Sequence, residues 1–172
     1  MRVTRGDLFQ IPCDAFCITT NGFVKQNGEC VMGRGCAKQA ATYWPALPRH
    51  LGELIKRNGN NVTPLYLVGT SAKVMLSFPV KPEFIIYDGE NCVKHMAFRF
   101  KVGDRVPGWA AKAQLNIIKR SAEQLKKISD VYGWRTIVIP RTGCGAGELS
   151  WEDQVRPCLD GILDDRFLAT TN

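Results

Sequence analysis

The chain holds only two histidines, His50 and His95, in 172 residues, and its 16 acidic side chains are outnumbered by 23 lysines and arginines. Nowhere does it approach the roughly 20 consecutive apolar residues that a bilayer-spanning helix needs. Its first residues, Met1-Arg2-Val3-Thr4-Arg5, lack the apolar stretch of a secretory signal. These absences predict a soluble, cytoplasmic protein with no membrane partner. The seven cysteines are odd in number and none stands in a C-x-x-C pair, so neither a disulfide framework nor a ribbon-type zinc site is indicated. A metal held by Cys30, Cys36 and a histidine is conceivable, but the spacing argues against it. The thiols are expected to be reduced and to serve as small buried hydrophobes. Neither a metal nor a cofactor is expected.

What is present is the composition of an ordinary globule, 45% hydrophobic and 23% charged, at a length that predicts one domain over residues 1–172. The net charge of +7 is uneven: residues 1–80 carry nine basic and four acidic side chains, whereas 130–172 carry four and seven. Such a balance favours anionic partners, nucleotides or nucleic acid, with a solubilising surface as the plain alternative.

Short apolar runs at residues 3–9 and 15–20, punctuated by Gly6-Asp7 and Pro12, predict two strands. Ala37, Ala40, Ala41 and Trp44, then Leu51, Leu54 and Ile55, recur at helical spacing and predict two short helices. Residues 65–68 and 74–78 are the next strands. Over 110–129, apolar residues step by three and four from Ala111 to Ile128 with lysines on the other side, which predicts an amphipathic helix. Residues 136–140 form a continuous apolar strand of the kind buried on both faces. Ser150 and Asp153 have the spacing of a helix-starting capping box; Pro157 predicts a kink or a second segment there. Residues 167–170 form the last strand. Strands alternating with helices predict an α/β fold, a mixed central sheet covered by helices on both faces. Within it, residues 82–108 are set apart: Asp88-Gly89 is a hairpin signal, and Met96, Phe98, Phe100 and Val102 alternate with Ala97, Arg99 and Lys101 on the opposite face. This predicts a β-hairpin insertion too short for a core of its own.

Two glycine-rich segments each follow a strand and precede a helix: Gly33-Arg34-Gly35-Cys36-Ala37 and Gly143-Cys144-Gly145-Ala146-Gly147. Strand C-terminal ends are where open α/β sheets bind ligands, and glycine lets backbone N–H groups approach phosphate oxygens beside a helix N-terminus. Two such loops could grip one diphosphate from both sides. Neither has Walker A or G-x-G-x-x-G spacing, and a tight turn is the plain alternative for each.

Taken together, Gly6-Asp7-Leu8-Phe9, residues 14–21 ending in Asn21, Met32-Gly33-Arg34-Gly35-Cys36-Ala37, and residues 140–147 followed by Leu149 and Trp151 resemble a macrodomain, the ADP-ribose-binding module, in order and spacing. The likeness covers nearly the whole chain outside the insertion. It is closest to the branch holding terminal ADP-ribose protein glycohydrolase and the DNA ADP-ribosyl glycohydrolase antitoxins. The resemblance implies an α/β/α sandwich and a partner that is ADP-ribose, or a protein or nucleic acid carrying it.

It also implies roles for single residues. Asp7 matches the aspartate that accepts from the adenine amino group, with a plain turn aspartate as the alternative. Leu8 lies beside it. Asn21 matches the asparagine next to the distal ribose, or else is an Asn-Gly turn. Gly33, Gly35 and Cys36 would line one side of the diphosphate and distal ribose, with Thr142, Gly143, Cys144, Gly145, Ala146 and Gly147 on the other. Lys81 stands where the branch places a lysine nucleophile against the anomeric carbon; a solvated strand-end lysine is the alternative. The glycohydrolase pairs that lysine with an aspartate, but the matching position here is Gly147, so Glu148 is the substitute or the carboxylate is missing. Trp109 resembles a tryptophan that usually follows the lysine closely, and the insertion separates the two. Phe167 is the candidate for stacking on adenine. The implied activity is hydrolysis of a glycosidic bond to ADP-ribose through Lys81. The alternatives are a binding module without turnover, a phosphatase acting on ADP-ribose 1″-phosphate, and a nucleic-acid-binding protein with no nucleotide pocket.

Overall fold

The structure, a computed structural model, describes residues 1–68 and 73–171. In the middle strands apolar residues alternate between two buried faces. On β2 (Ala15–Asn21), β4 (Lys73–Lys81) and β7 (Ile137–Pro140), Cys17, Leu76, Phe78, Ile137 and Ile139 enter one core, and Phe16, Ile18, Met75 and Val138 enter the other. This period of two is what a strand covered on both sides requires. With β1 (Arg2–Arg5), β3 (Thr63–Val68) and β8 (Phe167–Thr171) they form a six-stranded sheet in the order β1-β8-β7-β2-β4-β3. All neighbours are parallel except β3 against β4. The first core is covered by α4 (Leu115–Tyr132) through Ile118, Ala122 and Leu125. The second is covered by α1 (Gly35–Tyr43) and α2 (Leu47–Asn58) through Ala37, Ala40, Leu47 and Leu51. The result is the expected mixed sheet between two helical layers. No helix among the described residues is long and apolar enough to cross a membrane.

Several boundaries differ from expectation. The first strand ends at Arg5 rather than at residue 9, because Asp7 folds the chain into a turn, its carbonyl accepting the N–H groups of Gln10 and Ile11. The main helix starts at Leu115, not at 110. Residues 110–113 are bound elsewhere: Ala110 O accepts Val93 N–H, Lys112 N–H goes to Asn91 O and Ala113 N–H to Gly147 O. At Ser150 the side chain caps Asp153 N–H, a π-helical turn (Trp151–Val155) follows, and α5 (Arg156–Asp160) starts a new segment with Pro157 in its first turn.

Residues 82–108 contain two antiparallel strands, β5 (Phe84–Ile86) and β6 (Arg105–Pro107), but not the hairpin expected. Asp88-Gly89 does not join them. Asp88 Oδ1 instead accepts the N–H groups of Glu90 and Asn91, and the chain runs on through α3 (Lys94–Ala97) before returning. The alternating stretch 96–102 is not a strand. Ile85, Tyr87, Cys92, Val106, Ala110 and Ala111 form an apolar cluster beneath it, so the segment does have a small core.

Candidate functional site

Parallel pairing brings the C-terminal ends of β2, β4 and β7 to one side of the sheet, where an α/β fold exposes its loops. Pro79 shapes this edge. It cannot donate to a ladder, and β3 makes its first pairing opposite Ser77, two residues earlier on β4. The β2–β4 register shifts at this point, so that Thr20 faces Pro79 but Asn21 faces Lys81. The slip sets Asn21 and Lys81 side by side.

Both lie in a cleft of about 860 Å³. The two glycine loops, more than 100 residues apart in sequence, form opposing parts of its lining: Gly33, Gly35 and Cys36 from one, Gly143, Gly145, Ala146 and Gly147 from the other. Leu8 is also there. A Cβ added at Gly33 or at Gly145 would meet nothing within 4 Å, so both positions face open space. Arg34 precedes α1 in extended conformation and no side chain caps the helix, which leaves the first-turn N–H groups free for an anion. Cys36 Sγ accepts Thr19 N–H at 3.4 Å. Beside it Thr20 Oγ1 is buried without a partner among the described residues, a hydroxyl available to a ligand.

Asn21 donates from Nδ2 to Val31 O at 2.9 Å and accepts Phe23 N–H on Oδ1 at 3.0 Å. It therefore makes the turn and fixes the approach to the first glycine loop as well. Lys81 is 7% exposed. Its Nζ donates to Ala146 O at 2.8 Å and to Trp109 O at 3.2 Å. The fold thus returns Trp109 to the lysine from which the insertion separates it in sequence. Burial pushes the Lys81 amine down to about 8; the nearby Glu148 and Cys92 pull it up, and Arg34 pushes it further down. At pH 7 about a tenth of such a lysine is free amine, far more than of an ordinary lysine, and free amine is what nucleophilic chemistry requires.

Beside the cleft is a second cavity of about 700 Å³, lined by Arg34, Lys38, His95 and Glu148 around the same glycines. Glu148 adopts φ +61°. Its Oε1 accepts Lys94 N–H at 2.9 Å, while its Oε2 is buried with no partner among the described residues. Gly147 cannot take the aspartate's place: a Cβ there would overlap Gly143 O and lie 2.6 Å from Ala113 Cβ.

Besides Glu148, which lines only the second cavity, four sequence candidates lie outside the cleft lining. Asp7 is exposed next to Leu8, with Oδ1 accepting Phe9 N–H, the geometry of a turn aspartate. Thr142 is fully buried. Cys144 packs on the core beneath, and burial pushes its thiol up to about 11. Phe167 is fully buried among Ala169, Leu159 and Val155 in the first core, because its strand turns that face inward; its ring does not line the cleft. Sequence reasoning missed Thr20, Arg34, Lys38, His95 and Arg141, all of which line the cleft. Arg34 sits inside a recognised loop and could have been read there, whereas His95 is brought in only by the path of the insertion.

No protein-family model matches the chain, and no curated protein matches it. Solved structures do. The macrodomain of Mycobacterium tuberculosis DarG is 18% identical with a TM-score of 0.69, over 99% of this chain and 97% of the other. The macrodomain of Thermus aquaticus DarG is 19% identical with a TM-score of 0.66, over 99% and 97%. Thermosipho africanus DarTG in complex with ADP-ribose is 16% identical with a TM-score of 0.68, over 96% of this chain and 39% of that one. At these identities the likeness is one of fold.

Proposed function

From its macrodomain fold, we propose that this protein binds ADP-ribose and hydrolyses the glycosidic bond of a mono-ADP-ribosylated protein or nucleic acid, with Lys81 as nucleophile. The observation that carries the reading is Lys81 itself: a buried amine, with a lowered pKa, at the strand end between two glycine loops. That one of the similar folds is a complex with ADP-ribose supports the choice of ligand. In this reading the pyrophosphate lies between Gly33, Gly35 and Cys36 on one side and Gly143, Gly145, Ala146 and Gly147 on the other, with the distal ribose against Asn21. The adenine end points toward Leu8, where the Asp7 carboxylate, an acceptor only, suits the exocyclic amino group.

The Lys81 amine attacks C1″ as the bond to the macromolecule breaks and its electron pair leaves with that group. The sugar opens to a Schiff base, and water returns the amine and frees ADP-ribose. Glu148 takes the place of the carboxylate partner, its negative charge favouring the protonated lysine between turnovers. A second reading, a binding module without turnover, draws on Gly147, where no side chain fits. Calorimetry with ADP-ribose, followed by assay of ADP-ribose release from a modified protein and a modified oligonucleotide, separates the two. The expected result is binding by wild type and Lys81→Ala alike, with release by wild type alone. Binding without release from either substrate would leave the binding module, and phosphate release from ADP-ribose 1″-phosphate would point to a phosphatase.

A further inference from the structure

Breaking the bond to C1″ leaves an electron pair on the departing oxygen or nitrogen. An alkoxide or amide anion is too basic to depart readily at neutral pH, so the leaving side of the site needs a proton donor. Lys81 cannot be that donor, because a nucleophile approaches C1″ from the face opposite the leaving group. The second cavity adjoins the cleft through shared glycines but is not lined by Lys81. In this reading a leaving group projects into it.

Four ionisable side chains line that space: Arg34 and Lys38 from α1 and its cap, Glu148 from the second glycine loop, and His95 from α3. A guanidinium does not give up its proton at any working pH. Lys38 is an exposed ammonium, strongly hydrated and a weak acid. Glu148 accepts Lys94 N–H on Oε1 and, in the reading above, serves as the negative charge beside Lys81, a role that its carboxylate form fills. His95 lines both cavities, and its ring has no hydrogen-bond or ion-pair partner among the described residues. Imidazole is the side chain that releases and retakes a proton near neutrality.

We infer that His95 is a catalytic residue, the general acid that protonates the leaving group as Lys81 attacks. This rests on the reading of Lys81 given above. As the C1″ bond breaks, the imidazolium proton passes to the departing atom. In the second half, the imidazole takes a proton from the water that opens the Lys81 adduct. Both residues end as they began, and the net change is addition of one water across the glycosidic bond.

The test compares two leaving groups at C1″ of ADP-ribose in single turnover: para-nitrophenol, which departs as a stable anion, and an alkyl alcohol, which does not. His95→Gln keeps a hydrogen-bond donor but is no acid. It is expected to cleave the alkyl glycoside about 10²-fold or more slowly than wild type, and to cleave the nitrophenyl glycoside within about threefold of it. An equal loss on both probes, or no loss on either, overturns the assignment. So does a wild type that cleaves only the nitrophenyl glycoside, since no working acid would then be present. A wild type that cleaves neither overturns the hydrolase reading itself. His95 is exposed, so the variant is expected to melt with wild type, and a thermal scan checks this.

Discussion

Lys81 Nζ lies 2.8 Å from the carbonyl oxygen of Ala146, so the end of β4 is tied to the second glycine loop through the same amine that is proposed to attack. Burial disfavours the ammonium form while the Glu148 charge favours it, and burial is the larger effect. With the nitrophenyl glycoside, whose leaving group needs no acid, the rate of its release should rise with pH to a midpoint of about 8. Folding stability follows the same group. Its folded pKa is lowered from 10.5 to about 8, so the unfolded chain holds the extra proton between those values, and stability rises with pH across that window. Below pH 8 the cost of burying the ammonium is about 3 kcal/mol. Denaturant titrations of wild type between pH 7 and 10.5 should show the rise, and Lys81→Met should not.

Glu148 raises the Lys81 pKa, so removing its charge should lower it. In Glu148→Gln the amide oxygen can still accept Lys94 N–H, which keeps the insertion docked. The midpoint of the pH–rate profile is expected to move below that of wild type. An unchanged or higher midpoint would falsify the electrostatic pairing.

Gly145 and Gly147 make a matched pair. An added Cβ meets nothing within 4 Å at the first and overlaps backbone at the second. Gly145→Val should therefore melt like wild type yet lose most ADP-ribose affinity, because its side chain fills the space meant for the pyrophosphate. Gly147→Ala should cost about 1–3 kcal/mol of stability by overpacking. Calorimetry and thermal melts together read both.

Lys73 is a buried lysine that does not line the cleft. Its Nζ donates to Ile11 O at 2.9 Å and Phe9 O at 3.2 Å and sits 4.7 Å from the centre of the Phe16 ring. It pins the turn that presents Asp7 and Leu8. Lys73→Met strands two carbonyls, for about 1–3 kcal/mol in stability, and should also weaken ADP-ribose binding by loosening that turn. The paired readout is the melt and the dissociation constant.

Asp7→Ala tests the adenine end separately. Losing a charge-assisted hydrogen bond should weaken ADP-ribose binding by about 1.5–3 kcal/mol. Affinity for ribose 5-phosphate, which has no adenine, should not change between the two proteins.

The sheet was readable in the sequence because its middle strands are apolar on both faces, and the two glycine loops because each sits between a strand and a helix. The insertion was not. Met96, Phe98, Phe100 and Val102 alternate as a strand would, yet no sheet buries one side: Phe98 is 80% and Val102 73% exposed. Likewise the spacing of Ala110 to Ala113 is helical, but their backbone is bound to Asn91, Val93 and Gly147, contacts that no local pattern announces. Phe167 was mistaken for a ligand-facing ring because its nearest aromatic competition lies earlier in the chain, and only the sheet shows which way a strand residue turns. His95 carried no signal at all. A lone histidine in an irregular segment gains meaning only from what stands across from it in space.

Segment 82–108 is anchored on both flanks: Gly22 N–H reaches Pro82 O, Gly108 N–H reaches Glu83 O, and Ala113 N–H reaches Gly147 O just beyond it. Trimming it to a short turn would not yield a minimal version of the same protein. It would strip one wall from the cavity and leave Glu148 without Lys94. Anyone grafting this segment onto a related scaffold would have to carry the stitches along with the cloth.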